Sequence, residues 1–159
     1  YFYEDIFPVP EPLLAEVPKL LGIDGRKMSK SYDNSIYLRD RGDVLRNKVS
    51  SMFTDPQRMR KKDPGRPEMC NAFAFHKIYS SAGEVDELSE GCRSATIGCV
   101  ECKKRLADAL LKGMEPIHER QDYYLNNQEE VKRFLEEGIS RATQIARLTM
   151  DEVREAVKI

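Results

Sequence analysis

Residues 100–125, VECKKRLADALLKGMEPIHERQDYYL, place Leu106, Leu110, Met114 and Ile117 at spacings of four, four and three, and that stripe decides the fold class. An α-helix turns every 3.6 residues, so these side chains share one face and the stretch reads as one long amphipathic helix. Pro116 falls inside it and is expected to kink it. Downstream, Asn127 with Glu130 has the form of an N-terminal cap and its partner, and Gly138 suits the left-handed position that closes a helix. A separate helix is expected between them, another over Ile139 to Leu148, and a last one opened by the capping box Thr149 with Glu152 and running through Val157.

Upstream of the stripe, Gly83 and Gly91 bracket a short acidic helix, Glu84 to Glu90. The turn Asp63-Pro64-Gly65-Arg66-Pro67 leads into a helix from about Pro67 to Tyr79, with Cys70, Phe73, Ala74 and Lys77 on one side. From Asp40 the pattern is already helical, with Val44, Leu45, Val49, Met52 and Phe53 on one face and Thr54-Asp55-Pro56 as a stop. Residues 40–159 therefore read as an all-helical bundle. Pro8, Pro10, Pro12 and Pro18 remove backbone donors, so residues 1–18 read as an extended connection. Val17 to Ile23, closed by Gly22, Asp24 and Gly25, reads as the end of a strand running into a loop.

With 33% charged and 40% hydrophobic residues and no apolar run near membrane-spanning length, the composition is that of an aqueous, helix-prone protein without a membrane partner. No basic segment followed by an apolar one marks a signal peptide. The net charge of -1 requires any contact with nucleic acid to come from local basic clusters. Arg58-Met59-Arg60-Lys61-Lys62 with Arg66 is one, and Lys103-Lys104-Arg105 is another; each reads equally well as a solvated face. His76 and His118 sit in helical contexts that suit solvated or hydrogen-bonded histidines.

Gly25-Arg26-Lys27-Met28-Ser29-Lys30-Ser31-Tyr32-Asp33-Asn34 has the chemistry of a loop that meets polyphosphate. Lys27 and Lys30 are compact charges for separated phosphate oxygens, while Ser29, Ser31 and backbone amides donate hydrogen bonds. In nucleotidyl transfer the leaving pyrophosphate gains charge in the transition state, so donors that tighten only then accelerate the step. Four cysteines, Cys70, Cys92, Cys99 and Cys102, have 21, 6 and 2 residues between them. Four thiols with one Cys-x-x-Cys pair suit a tetrathiolate site for zinc or an iron–sulfur cluster, and the spacing does not choose between the two. Unrelated buried thiols are the bland alternative.

Lys27 to Ser31 match the KMSKS motif of class I aminoacyl-tRNA synthetases without departure. Around it stand Pro10-Glu11-Pro12-Leu13-Leu14, Gly22-Ile23-Asp24-Gly25-Arg26, Tyr32-Asp33-Asn34, Thr54-Asp55, Asp63-Pro64-Gly65, and Ala146, Thr149, Val153 and Arg154. With these the sequence resembles the tryptophanyl-tRNA synthetase family over essentially the whole chain. The resemblance implies a mainly α chain: residues 1–39 as the C-terminal edge of a Rossmann-type α/β catalytic domain, and residues 40–159 as a helical anticodon-binding domain.

It implies activation of L-tryptophan with ATP and Mg2+, then transfer to tRNA(Trp), by a cytoplasmic homodimer. Lys27 and Lys30 would contact ATP phosphates, Ser29 and Ser31 would assist, and Met28 would pack the loop. The HIGH-type partner motif is absent, since no His-x-Gly-His occurs in the sequence. The chain is therefore expected to be the C-terminal part of a longer enzyme and inactive alone. A subset of the family carries a 4Fe-4S iron–sulfur cluster on four cysteines; this chain matches the last two intervals and is one residue short in the first, with Zn2+ as the alternative occupant. Arg93, Lys103 and Arg105 are the candidate anticodon contacts. The tyrosyl enzymes share the loop, but Asp63-Pro64-Gly65 and Ile97-Gly98-Cys99-Val100 favour tryptophan. A stand-alone helical RNA- or metal-binding module would have no use for the phosphate loop.

Overall fold

The computed structural model describes residues 6–15, 17 and 19–159; the expectations that involve residues 1–5, 16 and 18, Pro18 among them, lie outside the described residues. The described residues are mainly helical, and their only extended pairing is an isolated antiparallel bridge between Leu21 and Lys27. Five helices follow the loop: α1 (Gly42–Ser50), α2 (Asn71–Tyr79), α3 (Ala82–Arg93), α4 (Cys99–Asn126) and α5 (Gln128–Val157). One-turn 3-10 helices stand at Lys30–Tyr32 and Pro67–Met69, the latter where a continuous helix from Pro67 is expected.

Two compact units divide the chain, Leu14–Glu119 and a second made of residues up to Leu13 with Arg120–Ile159. In the first, Leu45, Val49 and Met52 meet Ala72 and Phe75 of α2 and Leu106, Ala107, Leu110 and Met114 of α4. Of the α4 stripe only Ile117 stays exposed. Val44 and Phe53, expected on the buried face of α1, also remain exposed: Val44 stands on the helix's solvent side, and Phe53 lies beyond the end of α1 at Ser50, where the helical face no longer runs. Polar contacts join α1 to α4: Arg46 pairs with Asp108 at 2.7 Å, and the Lys103 ammonium donates to the Ser50 carbonyl at 2.8 Å, complementing the negative end of α1.

Several expected boundaries move. α3 starts at Ala82, where Ser81 caps the Glu84 amide at 3.4 Å, so both Gly83 and Gly91 lie inside the helix. Gly91 is there for close approach: a Cβ would stand 2.5 Å from Ile97. α4 runs unbroken through Pro116. Lys112 and Pro116 are both exposed, so water can satisfy the carbonyl left without an N–H. The three short helices expected after Asn127 are one helix, α5.

The groups read as caps in that region are used otherwise. The Asn127 side chain donates back to the Tyr123 carbonyl at 2.7 Å, Glu130 accepts from the Tyr123 hydroxyl at 2.8 Å, and Thr149 donates to Ile145 one turn behind it at 3.1 Å. Gly138, with open space where its Cβ would be, continues the helix. No helix of the described residues is long and apolar enough to cross a membrane.

Candidate functional site

The loop is built on a short run of backbone turns. The Gly22 amide donates to the Arg26 carbonyl at 2.7 Å, the Gly25 amide to Gly22 at 2.9 Å, and Gly25 takes φ +80. The far side is anchored to the bundle: the Phe53 amide donates to Ile23 at 2.6 Å, and the Asn71 side chain on α2 donates to the Gly22 carbonyl at 2.8 Å. Lys27, Lys30 and Ser31 are exposed, and Met28 is half-buried against the core of the first unit. The Ser29 and Ser31 hydroxyls bond to each other at 2.8 Å. Lys30 opens the 3-10 turn, which ends on left-handed Asp33. The structure therefore leaves Lys27, Lys30 and Ser31 open to solvent, with Ser29 half-buried against Ser31 and Met28 packed on the core.

Asn34, quoted in the sequence only as a neighbour of the motif, is 2% exposed. Its Oδ1 accepts the Ser29 amide at 2.8 Å, and its Nδ2 donates to Asp24 Oδ1 at 2.8 Å and to the Lys27 carbonyl at 3.1 Å. Asp24 also accepts from the Arg26 amide at 2.9 Å and pairs with its guanidinium at 2.7 Å. These donors, the Arg26 amide first and Asn34 next, hold the Asp24 carboxyl down at about 2.

The cysteines lie in the first unit, where α2, α3 and α4 begin or end. Cys70 precedes α2, Cys92 lies near the end of α3, and Cys99 and Cys102 sit one turn apart at the start of α4. All four thiols are free, and together with Arg58 and Ile97 they line one narrow cavity of about 20 Å³, room for a single water. Burial pushes the Cys102 thiol up to about 12, with its three neighbouring thiols adding to the rise, and burial also raises Cys70 and Cys92.

Arg58, read in the sequence as one of a solvated basic run, is turned into this cavity. It donates to Cys92 Sγ at 3.4 Å and to the Ile97 carbonyl at 2.8 Å, while its buried Nε has no partner. The donor set and the adjacent cation suit an anionic tetrathiolate centre. Among the described residues, however, no group of three or more His, Cys, Asp or Glu already stands ready to hold a metal ion. A bound group would have to draw the thiols into place and displace their protons.

His76 is fully buried and hydrogen-bonded, to Ser80 Oγ at 2.8 Å and to the Cys102 carbonyl at 3.2 Å. His118 meets the Leu38 carbonyl at 2.9 Å. Arg93 pairs with Glu68 and Arg105 with Glu87 and Glu101, each at 2.9 Å.

Asp55, 4% exposed, accepts from the Gln57 amide at 3.0 Å and three times from Arg66, the shortest at 2.6 Å. The Arg66 side chain foremost holds its carboxyl well below the usual range. A depressed folded-state value means the stabilisation is complete above the unfolded value of 3.8 and is lost as pH falls below it. Calorimetric Tm should therefore fall between about pH 5 and pH 2, and Asp55→Asn should lower Tm at neutral pH while flattening that fall.

Similarity to known proteins agrees with this geometry. The sequence family described as tRNA synthetases class I (W and Y) matches residues 2–115. Tryptophan–tRNA ligase of Aquifex aeolicus is 45% identical over 99% of this chain and 40% of its own length. That of Thermotoga maritima is 41% identical over 100% and 49%. A Campylobacter jejuni tryptophanyl-tRNA synthetase structure complexed with ADP and tryptophan superposes with a TM-score of 0.74 at 28% identity, covering 97% of this chain and 48% of that one. The chain spans about half or less of the length of each of these relatives. It belongs to the class I tRNA synthetases of the tryptophan and tyrosine family.

Proposed function

We propose that the chain forms the C-terminal part of a tryptophan–tRNA ligase, in which residues 1–39 complete a Rossmann-type catalytic domain and residues 40–159 form the helical anticodon-binding domain. The ligase activates L-tryptophan with ATP and Mg2+ and transfers it to tRNA(Trp). The observation that carries this reading is the anchored loop that exposes Lys27, Lys30 and Ser31 with half-buried Ser29 between them, in a chain whose relatives are named tryptophan–tRNA ligases. In the reaction the two ammonium groups meet the β- and γ-phosphate oxygens and gain most when charge accumulates on the departing pyrophosphate. The serine hydroxyls exchange their mutual bond for phosphate oxygens, and Met28 keeps its purchase on the core. By family resemblance the ligase works as a cytoplasmic homodimer.

Aminoacylation of a tRNA(Trp) transcript by the complete ligase tests the reading: charging with tryptophan is expected, and binding of the transcript without charging would favour a stand-alone RNA-binding module. Filter binding across salt concentrations, with the CCA anticodon present or replaced, separates specific recognition from basic adhesion.

The four cysteines are proposed to hold a 4Fe-4S cluster, with Zn2+ as the alternative. Four sulfur donors around one cavity, beside a guanidinium with an unused N–H, suit an anionic thiolate centre of either kind, although either occupant would have to rearrange the thiols and a cluster would have to widen the cavity. The bound group would supply rigidity, tying the start of α2 to α3 and α4. Protein purified without oxygen is expected to show broad visible absorption and iron and sulfide in equal amounts; a colourless protein with one zinc would assign the site to zinc. Cys102→Ser should abolish the absorption in the first case.

A further inference from the structure

Three backbone or side-chain groups converge on one buried amide. Asn34 Nδ2 donates to the Lys27 carbonyl and Oδ1 accepts the Ser29 amide, so one side chain grips the stretch Lys27-Met28-Ser29 at both ends. Its remaining N–H goes to Asp24, and the Ile23 amide donates to the Asn34 carbonyl at 2.8 Å. The grip needs a glycine beneath it, since a Cβ on Gly22 would stand 2.5 Å from Asn34 Cγ and Nδ2. Gly22 is in turn held by Asn71 of α2. An unbroken set of hydrogen bonds thus runs from the helical core to the backbone that presents Lys27 and Lys30, while both lysine side chains project into solvent.

We propose that Asn34 is a positioning residue for the two loop lysines: its amide fixes the backbone between them and so sets where their ammonium groups meet the triphosphate. This rests on the phosphate-loop reading above. No other side-chain type of that size does the same work. A carboxylate at position 34 can accept the Ser29 amide but has no N–H for the Lys27 carbonyl, and it would turn an oxygen toward Asp24; an aliphatic side chain makes none of the three bonds. The cost of losing the grip is misplacement of charge in the transition state, which appears in kcat more than in ATP binding.

The test is tryptophan-dependent ATP–pyrophosphate exchange by the complete ligase, with kcat counted per titrated active site, KM for ATP, and melting temperature. Four forms are compared with the unsubstituted enzyme: Asn34→Ala, Asn34→Asp, Lys27→Ala, and Lys27→Ala with Asn34→Ala. Asn34→Ala is expected to lower kcat by about 10- to 100-fold with KM for ATP changed less than about threefold. On the Lys27→Ala background the same substitution should cost clearly less than it does alone, because one of the two groups it places is gone. Asn34→Asp should lose at least as much as Asn34→Ala.

A kcat for Asn34→Ala within about twofold of the unsubstituted enzyme overturns the proposal. So does full multiplication of the two losses in the double variant, the outcome of a role in general stability alone. If Asn34→Ala does not fold, as its melting shows, Asn34→Asp decides by the same twofold criterion. If Lys27→Ala leaves exchange intact, the phosphate-loop reading fails and this role with it; if Lys27→Ala loses exchange and the Asn34 variants do not, only the positioning role fails.

Discussion

Lys27→Ala and Lys30→Ala are each expected to lower kcat for ATP–pyrophosphate exchange by about 10²- to 10³-fold in the complete ligase, with a far smaller change in KM for ATP. The reason is where the ammonium groups stand. Both are exposed on the solvent edge of an anchored loop, and neither reaches a carboxylate among the described residues, so each is available to a ligand. Charge on the bridging and non-bridging oxygens of pyrophosphate grows only as the α-phosphate bond breaks, so a cation placed there is worth more in the transition state than in the ground state. A loss of about 10²-fold corresponds to roughly 2.7 kcal/mol, within the range for removing one such donor. Arginine is a poor substitute for either lysine because its broad planar fork cannot reproduce a compact point charge. Steady-state exchange kinetics at saturating tryptophan measure the effect.

Leu110→Ala should have the largest effect on stability. Leu110 is fully buried in α4 among Leu45, Val49, Phe75 and Leu106, the place where α1, α2 and α4 meet. Truncation leaves a cavity that rigid helices on three sides cannot close, and the expected loss is about 2–5 kcal/mol, or a fall in Tm of about 10 °C. Leu135→Ala in α5, at a residue 61% exposed, is the control and should change stability by less than about 0.5 kcal/mol. Thermal unfolding of the 159-residue chain followed by circular dichroism compares the two.

The features that were legible in the sequence are those with a period or a chemical signature. Leu106, Leu110 and Met114 announced α4 because a buried face repeats every turn, and Leu45 and Val49 did the same for α1. The lysines and serines of the loop and the four cysteines stood out in the sequence because phosphate and metal chemistry call for those residue types; the structure gathers the four thiols around one cavity, and both roles are proposals. Boundaries set by one contact were not legible. Gly138 and Thr149 look like a stop and a start, yet the helix continues through both, since an exposed glycine costs only about 1 kcal/mol and a threonine hydroxyl can bond one turn back.

Gly91 looks like a helix end and is instead a close contact inside α3, a fact that depends on Ile97 folding back from the loop before α4. Arg58 reads as one cation in a basic run, and only the tertiary fold turns it toward Cys92. Asn34 carries no chemical signature at all: its proposed role rests on two bonds to the backbone at Lys27 and Ser29, which no side-chain pattern encodes. Its burial follows from Gly22, and the pairing of those two positions becomes visible only once the Leu21–Lys27 bridge folds the loop back.

The central claim is that this chain carries the pyrophosphate-handling loop of a tryptophan-activating enzyme. Amino-acid-dependent ATP–pyrophosphate exchange by the complete ligase, run with L-tryptophan and with L-tyrosine in parallel, tests it most directly. Exchange with L-tryptophan, little with L-tyrosine, and loss of the tryptophan signal in Lys27→Ala are expected. Exchange driven by L-tyrosine, or tryptophan-driven exchange that survives removal of both Lys27 and Lys30, would contradict it.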